Sequence, residues 1–131
     1  MATSRGRVPA RFDDEPFGLD TDRYRSGSRA CDVAELARRR FEAEGVPVQA
    51  LMACDEEGRD GTRLEGLLKV YLPLIEAPAA ERPFGMVFDP IDTERGSVLN
   101  YVAFGVRHHP KGSHAPTVYT IAHRRLHGRS P

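Results

Sequence analysis

The chain has no tryptophan, only two cysteines, two lysines and one asparagine, and no apolar stretch long enough to cross a bilayer. Each shortage closes off a class of protein. Cys31 and Cys54 are too few and too far apart to form a disulfide framework, so the fold must be held by a core. The longest apolar run, residues 66 to 75, is broken by Lys69 and Pro73, where a membrane helix needs roughly 18 apolar residues. The opening residues, Met1 to Arg11, hold three arginines with no apolar segment behind them, which is not the pattern of a secretory signal. A cytoplasmic protein without membrane contact is the expectation. Net charge of one sign is also missing, with 19 basic and 19 acidic residues.

The shortage of lysine changes how the arginines are read. With 17 arginines, three isoleucines and one asparagine, the chain shows the usage of a GC-rich bacterial genome, so arginine number alone is poor evidence for nucleic-acid binding. Distribution says more. From Arg95 onward there are six basic residues, all five histidines and no carboxylate, which leaves a formal charge of −6 on the first 94 residues.

At 131 residues the chain is long enough for one core that buries roughly two-thirds of the unfolded surface. Residues 1–30 mix arginine and aspartate with glycine, proline and serine at neither a strand nor a helix period, and read as an irregular arm ahead of a single domain over 31–131. Asp32-Val-Ala-Glu35 reads as a capping box. The helix it opens carries Val33, Leu36, Ala37 and Phe41 on one face and stops at Gly45 and Pro47.

Beyond it, Val48 to Cys54, Leu64 to Ile75, Phe84 to Phe88 and Val98 to Val106 read as four strands joined by polar turns, an expected four-stranded and mainly antiparallel sheet. In the second strand Lys69 and Tyr71 share a face, and in the fourth Val98, Asn100, Val102, Phe104 and Val106 do. Thr117 to Leu126 fits either period. Thr117 as a cap, Arg124, Arg125 and His127 in a last turn, and Gly128 as a stop favour a helix from Val118 to His127. The fold class expected is α+β.

No complete catalytic motif is present. His123 and His127 stand at helical metal-ligand spacing, but Arg124 occupies the position of a zincin glutamate and two adjacent guanidinium groups oppose a cation, so no metal and no cofactor are expected. The acidic loops at residues 55–60 and 89–94 lack calcium-loop spacing. The groups with most chemical promise are cationic. Arg107, Arg124, Arg125, His127 and Arg129 are the expected binding residues, because guanidinium forks suit phosphate.

Two functional expectations follow. One is a non-enzymatic binding or assembly module that meets a protein partner, a second copy or a nucleic-acid backbone through the N-terminal arm and the basic C-terminal segment. The alternative is a small metal-independent RNA-directed nuclease, with His108, His109, Tyr119 and His123 as its acid and base groups.

Overall fold

The computed structural model describes residues 6–55, 61–109 and 115–128. Among these residues the helices and strands follow in the order: strands β1 (Arg7–Val8) and β2 (Ala10–Arg11), helices α1 (Asp14–Thr21) and α2 (Arg29–Glu44), strands β3 (Val46–Pro47), β4 (Met52–Ala53), β5 (Leu68–Leu72), β6 (Phe84–Thr93) and β7 (Gly96–Val106), and helix α3 (Val118–His127). The architecture is α+β. Strands β2-β7-β6-β5-β4 form one sheet in that order, antiparallel except for the β2–β7 pair, while β1 and β3 make a separate antiparallel pair. Among the described residues no helix is long and apolar enough to cross a membrane.

The sheet carries a helical layer on each face. On one, Phe17 of α1 and Ala34, Ala37 and Phe41 of α2 pack with Val70, Leu72, Met86, Phe88 and Phe104. Phe12 joins them, stacked 5.1 Å from Tyr101 and edge-on to Phe17 and Phe88. On the other, Val118, Ile121 and Ala122 of α3 pack with Val87, Val102, Ala103, Leu64 and Leu67. Glycine makes the second seat possible. A Cβ on Gly85 would lie 3.1 Å from Val118 Cγ1, and one on Gly105 would lie 3.3 Å from both Val118 N and Ile121 Cδ1.

The structure departs from the sequence expectation in several places, among them β6, which runs on through residues 89–93, and Leu36, which is exposed. Residues 6–30, expected to be irregular, contain β1, β2 and α1, and bury Phe12, Phe17 and Asp20. Helix α2 begins a turn early: Ser28, not Asp32, is its N-cap, with Oγ accepting from the Cys31 amide, and the added turn buries Ala30 in the core and Cys31 against the carbonyls of Thr21, Tyr24 and Arg25. Asp32 lies in the first turn, where it favours the helix dipole. The sheet has five strands rather than four, since β2 adds two residues beside Leu99 and Asn100. Val48–Ala50 is a 3-10 turn, and β5 covers only part of Leu64 to Ile75 because Leu64 and Leu67 turn into the second core.

A further departure concerns β7. Val87 pairs with Ala103 but Phe88 pairs with Tyr101, so Val102 is an extra residue, a β-bulge. The bulge exchanges the faces of the strand along its length. Leu99 and Tyr101 therefore share a core with Phe104, while Val102 joins Ala103 on the α3 side. A strict alternation places them apart. The expected helix at Val118–His127 forms as anticipated, with Thr117 Oγ1 accepting from the Thr120 amide and Gly128 left-handed at φ 71°.

Candidate functional site

Beyond Asn100 no strand lies along the outer edge of β7 among the described residues, yet three of its backbone groups have side-chain partners. Val102 O accepts from Arg125 Nη1, the Phe104 amide donates to Asp20 Oδ2 at 3.1 Å, and the Val106 amide donates to the Tyr24 hydroxyl at 3.1 Å. Side chains from α1, the loop after it and α3 stand where a sixth strand would pair.

Asp20 is the hub of this cap and is 0% exposed. Its carboxylate also receives the Tyr101 hydroxyl, Arg23 Nη1, and Nη1 and Nη2 of Arg125, the last two at 2.9 Å each. A buried carboxylate is tolerated only when paired and saturated with donors in this way. Burial pushes the Tyr101 phenol far up, and the neighbouring Asp20 charge pushes in the same direction. Burial alone would lower the Arg125 pKa, but its bonds to Asp20 outweigh that and raise it. Nothing in the sequence marks Asp20. Arg125, expected to bind phosphate, spends its fork on this carboxylate and on Val102 O.

The histidine pair has a comparable occupation. His123 is 6% exposed and its Nδ1 accepts from the Arg63 amide at 2.9 Å, while His127 Nε2 lies 3.1 Å from Arg63 O. Together the two rings bracket the backbone of one residue, Arg63, and hold the segment after Gly61 against α3. Burial lowers the His123 pKa, with smaller contributions from His127 and Arg63. An imidazole that accepts at Nδ1 is the neutral Nε2–H tautomer, so a proton on Nδ1 would break the bracket.

A different group is gathered around Tyr71 on the α3 side of the sheet. The Arg107 guanidinium lies 3.6 Å from the ring centroid, Arg82 5.4 Å and Lys69 Nζ 5.5 Å, and Lys69 Nζ also stands 5.1 Å from the Tyr119 ring. Burial raises the Tyr119 phenol, against the lowering effect of Lys69 and of a bond to Arg107. Among the described residues none of Lys69, Arg82 and Arg107 has a carboxylate within 4.0 Å; the ion pairs present join Arg23 and Arg125 to Asp20, Arg38 to Asp14 and Glu42, and Arg40 to Glu44. Arg107 Nη1 donates to the carbonyls of Ala79 (2.9 Å) and Arg82 (3.0 Å), fixing a 3-10 turn at Ala79–Glu81. The Nε atoms of Arg82 and Arg107 are buried and have no hydrogen-bond partner among the described residues.

An open groove runs from this turn to the end of β7, floored by Ala79, Pro83 and Val106, with His108 and His109 exposed at its rim. Arg107, His108 and His109 thus lie at one site, and Tyr119 adjoins it through Arg107. His123, Arg125 and His127 are held by other partners. Arg124 is exposed on α3, and Arg129 and His114 lie outside the described residues. Among the described residues no group of three histidine, cysteine or carboxylate side chains is arranged to hold a metal ion. Cys31 Sγ faces the carbonyls of Thr21, Tyr24 and Arg25, and burial pushes the Cys54 thiol up to about 11.

Sequence reasoning placed Lys69 and Tyr71 on one strand face but did not include them in the site, because their partners lie on elements far along the chain. Compared with family models, curated proteins and solved structures, the chain matches none.

Proposed function

We propose that the protein is a non-enzymatic binding module that takes an anionic partner on the face formed by β5, the end of β7 and the first turn of α3. The observation that carries this reading is the gathering of Lys69, Arg82 and Arg107 around Tyr71 without a carboxylate at ion-pair distance among the described residues. Like charges held together repel, and a bound anion relieves that repulsion. The absence of acidic residues after Arg95 extends the same field over the C-terminal part of the fold. The N-terminal segment contributes differently from its expected role, since Phe12 and Phe17 are spent on the core.

The nuclease alternative has less support. It needs a free acid and base close to one phosphate, whereas His123 already accepts a backbone amide. RNA incubated with the protein in chelator-containing buffer is therefore expected to stay intact.

The direct test is retention on a heparin matrix at low salt. Lys69→Glu should elute at clearly lower salt than the parent, and Arg39→Glu, on an exposed position of α2, should not. Equal elution of the Lys69 and Arg39 variants, or no retention of the parent, would remove the proposal.

A further inference from the structure

We infer that the groove between the Ala79–Glu81 turn and the end of β7 is a nucleotide subsite for single-stranded nucleic acid. The inference rests on the anion-binding reading and adds a base to it. Single strands are held by proteins that interleave cations, which follow the phosphates, with flat or apolar side chains on which bases lie. Both parts are present, and they meet at Arg107, which lies over the Tyr71 ring and also lines the groove. Lys69, Arg82 and Arg107 supply the positive charge around Tyr71.

The groove floor of Ala79, Pro83 and Val106 is apolar, and the imidazoles of His108 and His109 stand exposed beside it. Arg107 belongs to both halves. Its Nη1 is occupied by the Ala79 and Arg82 carbonyls, which keeps the turn, and hence the groove wall, in place. The Nε atoms of Arg82 and Arg107 are buried in the cluster and have no hydrogen-bond partner among the described residues.

A polyanion without bases needs only the charge. A duplex hides its base faces in the stack and cannot use the groove floor. A single strand satisfies both halves, with one phosphate on the cation cluster and the adjacent base on the floor between the histidines.

The test uses the full chain and a fluorescently labelled oligouridine of about 12 nucleotides, within the span of about 4–16 nucleotides typical of single-strand sites, at about 50 mM salt. Inorganic polyphosphate of similar charge and an RNA duplex serve as competitors. Oligouridine is expected to bind more tightly than either. The double variant His108→Ala/His109→Ala should lose about fivefold or more of its oligouridine affinity, with polyphosphate affinity unchanged, since stacking one base is worth that much. Lys69→Gln should weaken both ligands. Both histidines are exposed, and an unchanged thermal midpoint of the double variant checks that the fold is intact.

If the double variant loses oligouridine and polyphosphate equally or neither, or if duplex or polyphosphate competes as well as oligouridine, the nucleotide subsite is overturned while the anion-binding reading stands. If none of the three ligands binds, both fall.

Discussion

Removing Arg125 should be among the most damaging single changes available on a partly exposed side chain. Asp20 is fully buried, and Arg125, with its side chain 24% exposed, provides two of the bonds that hold its charge. Arg125→Met keeps most of the aliphatic stem, leaves the carboxylate with Arg23, Tyr101 and the Phe104 amide, and strips Val102 O of a donor. Breaking a buried pair from one side costs about 3–5 kcal/mol; the retained Arg23 bond places this variant at the lower end, near 3 kcal/mol. Asp20→Ala strands more groups, namely the Tyr101 hydroxyl, the Phe104 amide and the Arg125 fork, and should cost about 4–5 kcal/mol.

Urea unfolding followed by circular dichroism should show the midpoint falling with an unchanged slope. For a chain of this length, about 3 kcal/mol corresponds to roughly 10 °C or more in thermal midpoint. Because the residues share bonds, the double variant should be less destabilised than the sum of the two singles by about 1–3 kcal/mol. Additive losses within about 0.5 kcal/mol, or an Asp20→Ala protein within about 1 kcal/mol of the parent, would refute the cap as described.

Three further outcomes are expected. The folded His123 pKa lies below its unfolded value, so the unfolded chain binds the proton first; stability is full above about pH 6.5 and declines as pH falls below it. Unfolding midpoints at a series of pH values, with His123→Asn flattening that acid limb, check this, and an unchanged slope against pH in the variant would contradict it. Gly105→Val should cost about 1–3 kcal/mol by driving α3 off the sheet, measured as a lowered urea midpoint, because Val118 N and Ile121 Cδ1 already stand at 3.3 Å from its Cβ position. Cys54, with its thiol pushed up to about 11 and buried, should react with a disulfide reagent near pH 8 only after denaturant is added, and rapid labelling in native buffer would show that its cover opens.

The elements legible from sequence were those with period and punctuation. Helix α2 has apolar residues at helical spacing and a glycine stop at Gly45, and α3 has Thr117 and Gly128 at its ends. Helix α1 was hidden because Pro16 and Gly18 interrupt an acidic stretch whose apolar members are only Phe17 and Leu19. Strand β2 is two residues long and shows no period, and residues 89–93 resemble a turn because Asp89, Pro90 and Asp92 are turn formers, although pairing with β7 holds them extended. A bulge has no signature in alternation, so the face exchange at Val102 was invisible. Of the expected site, Arg107, His108 and His109 do line one groove. The engagement of Arg125 and His123 is not legible in the sequence, because their partners, Asp20 and Arg63, are 105 and 60 residues away.

The cap on β7 also carries a consequence for synthesis. Asp20 leaves the ribosome early, the bulged strand it protects follows some 80 residues later, and Arg125 comes after that. In the interval a nascent chain can present the backbone of Val102 to a neighbouring chain with its acceptor unclaimed. Protection of that edge from intermolecular pairing is completed only when α3 emerges, so stalled or truncated products ending before Arg125 are the forms most prone to aggregate.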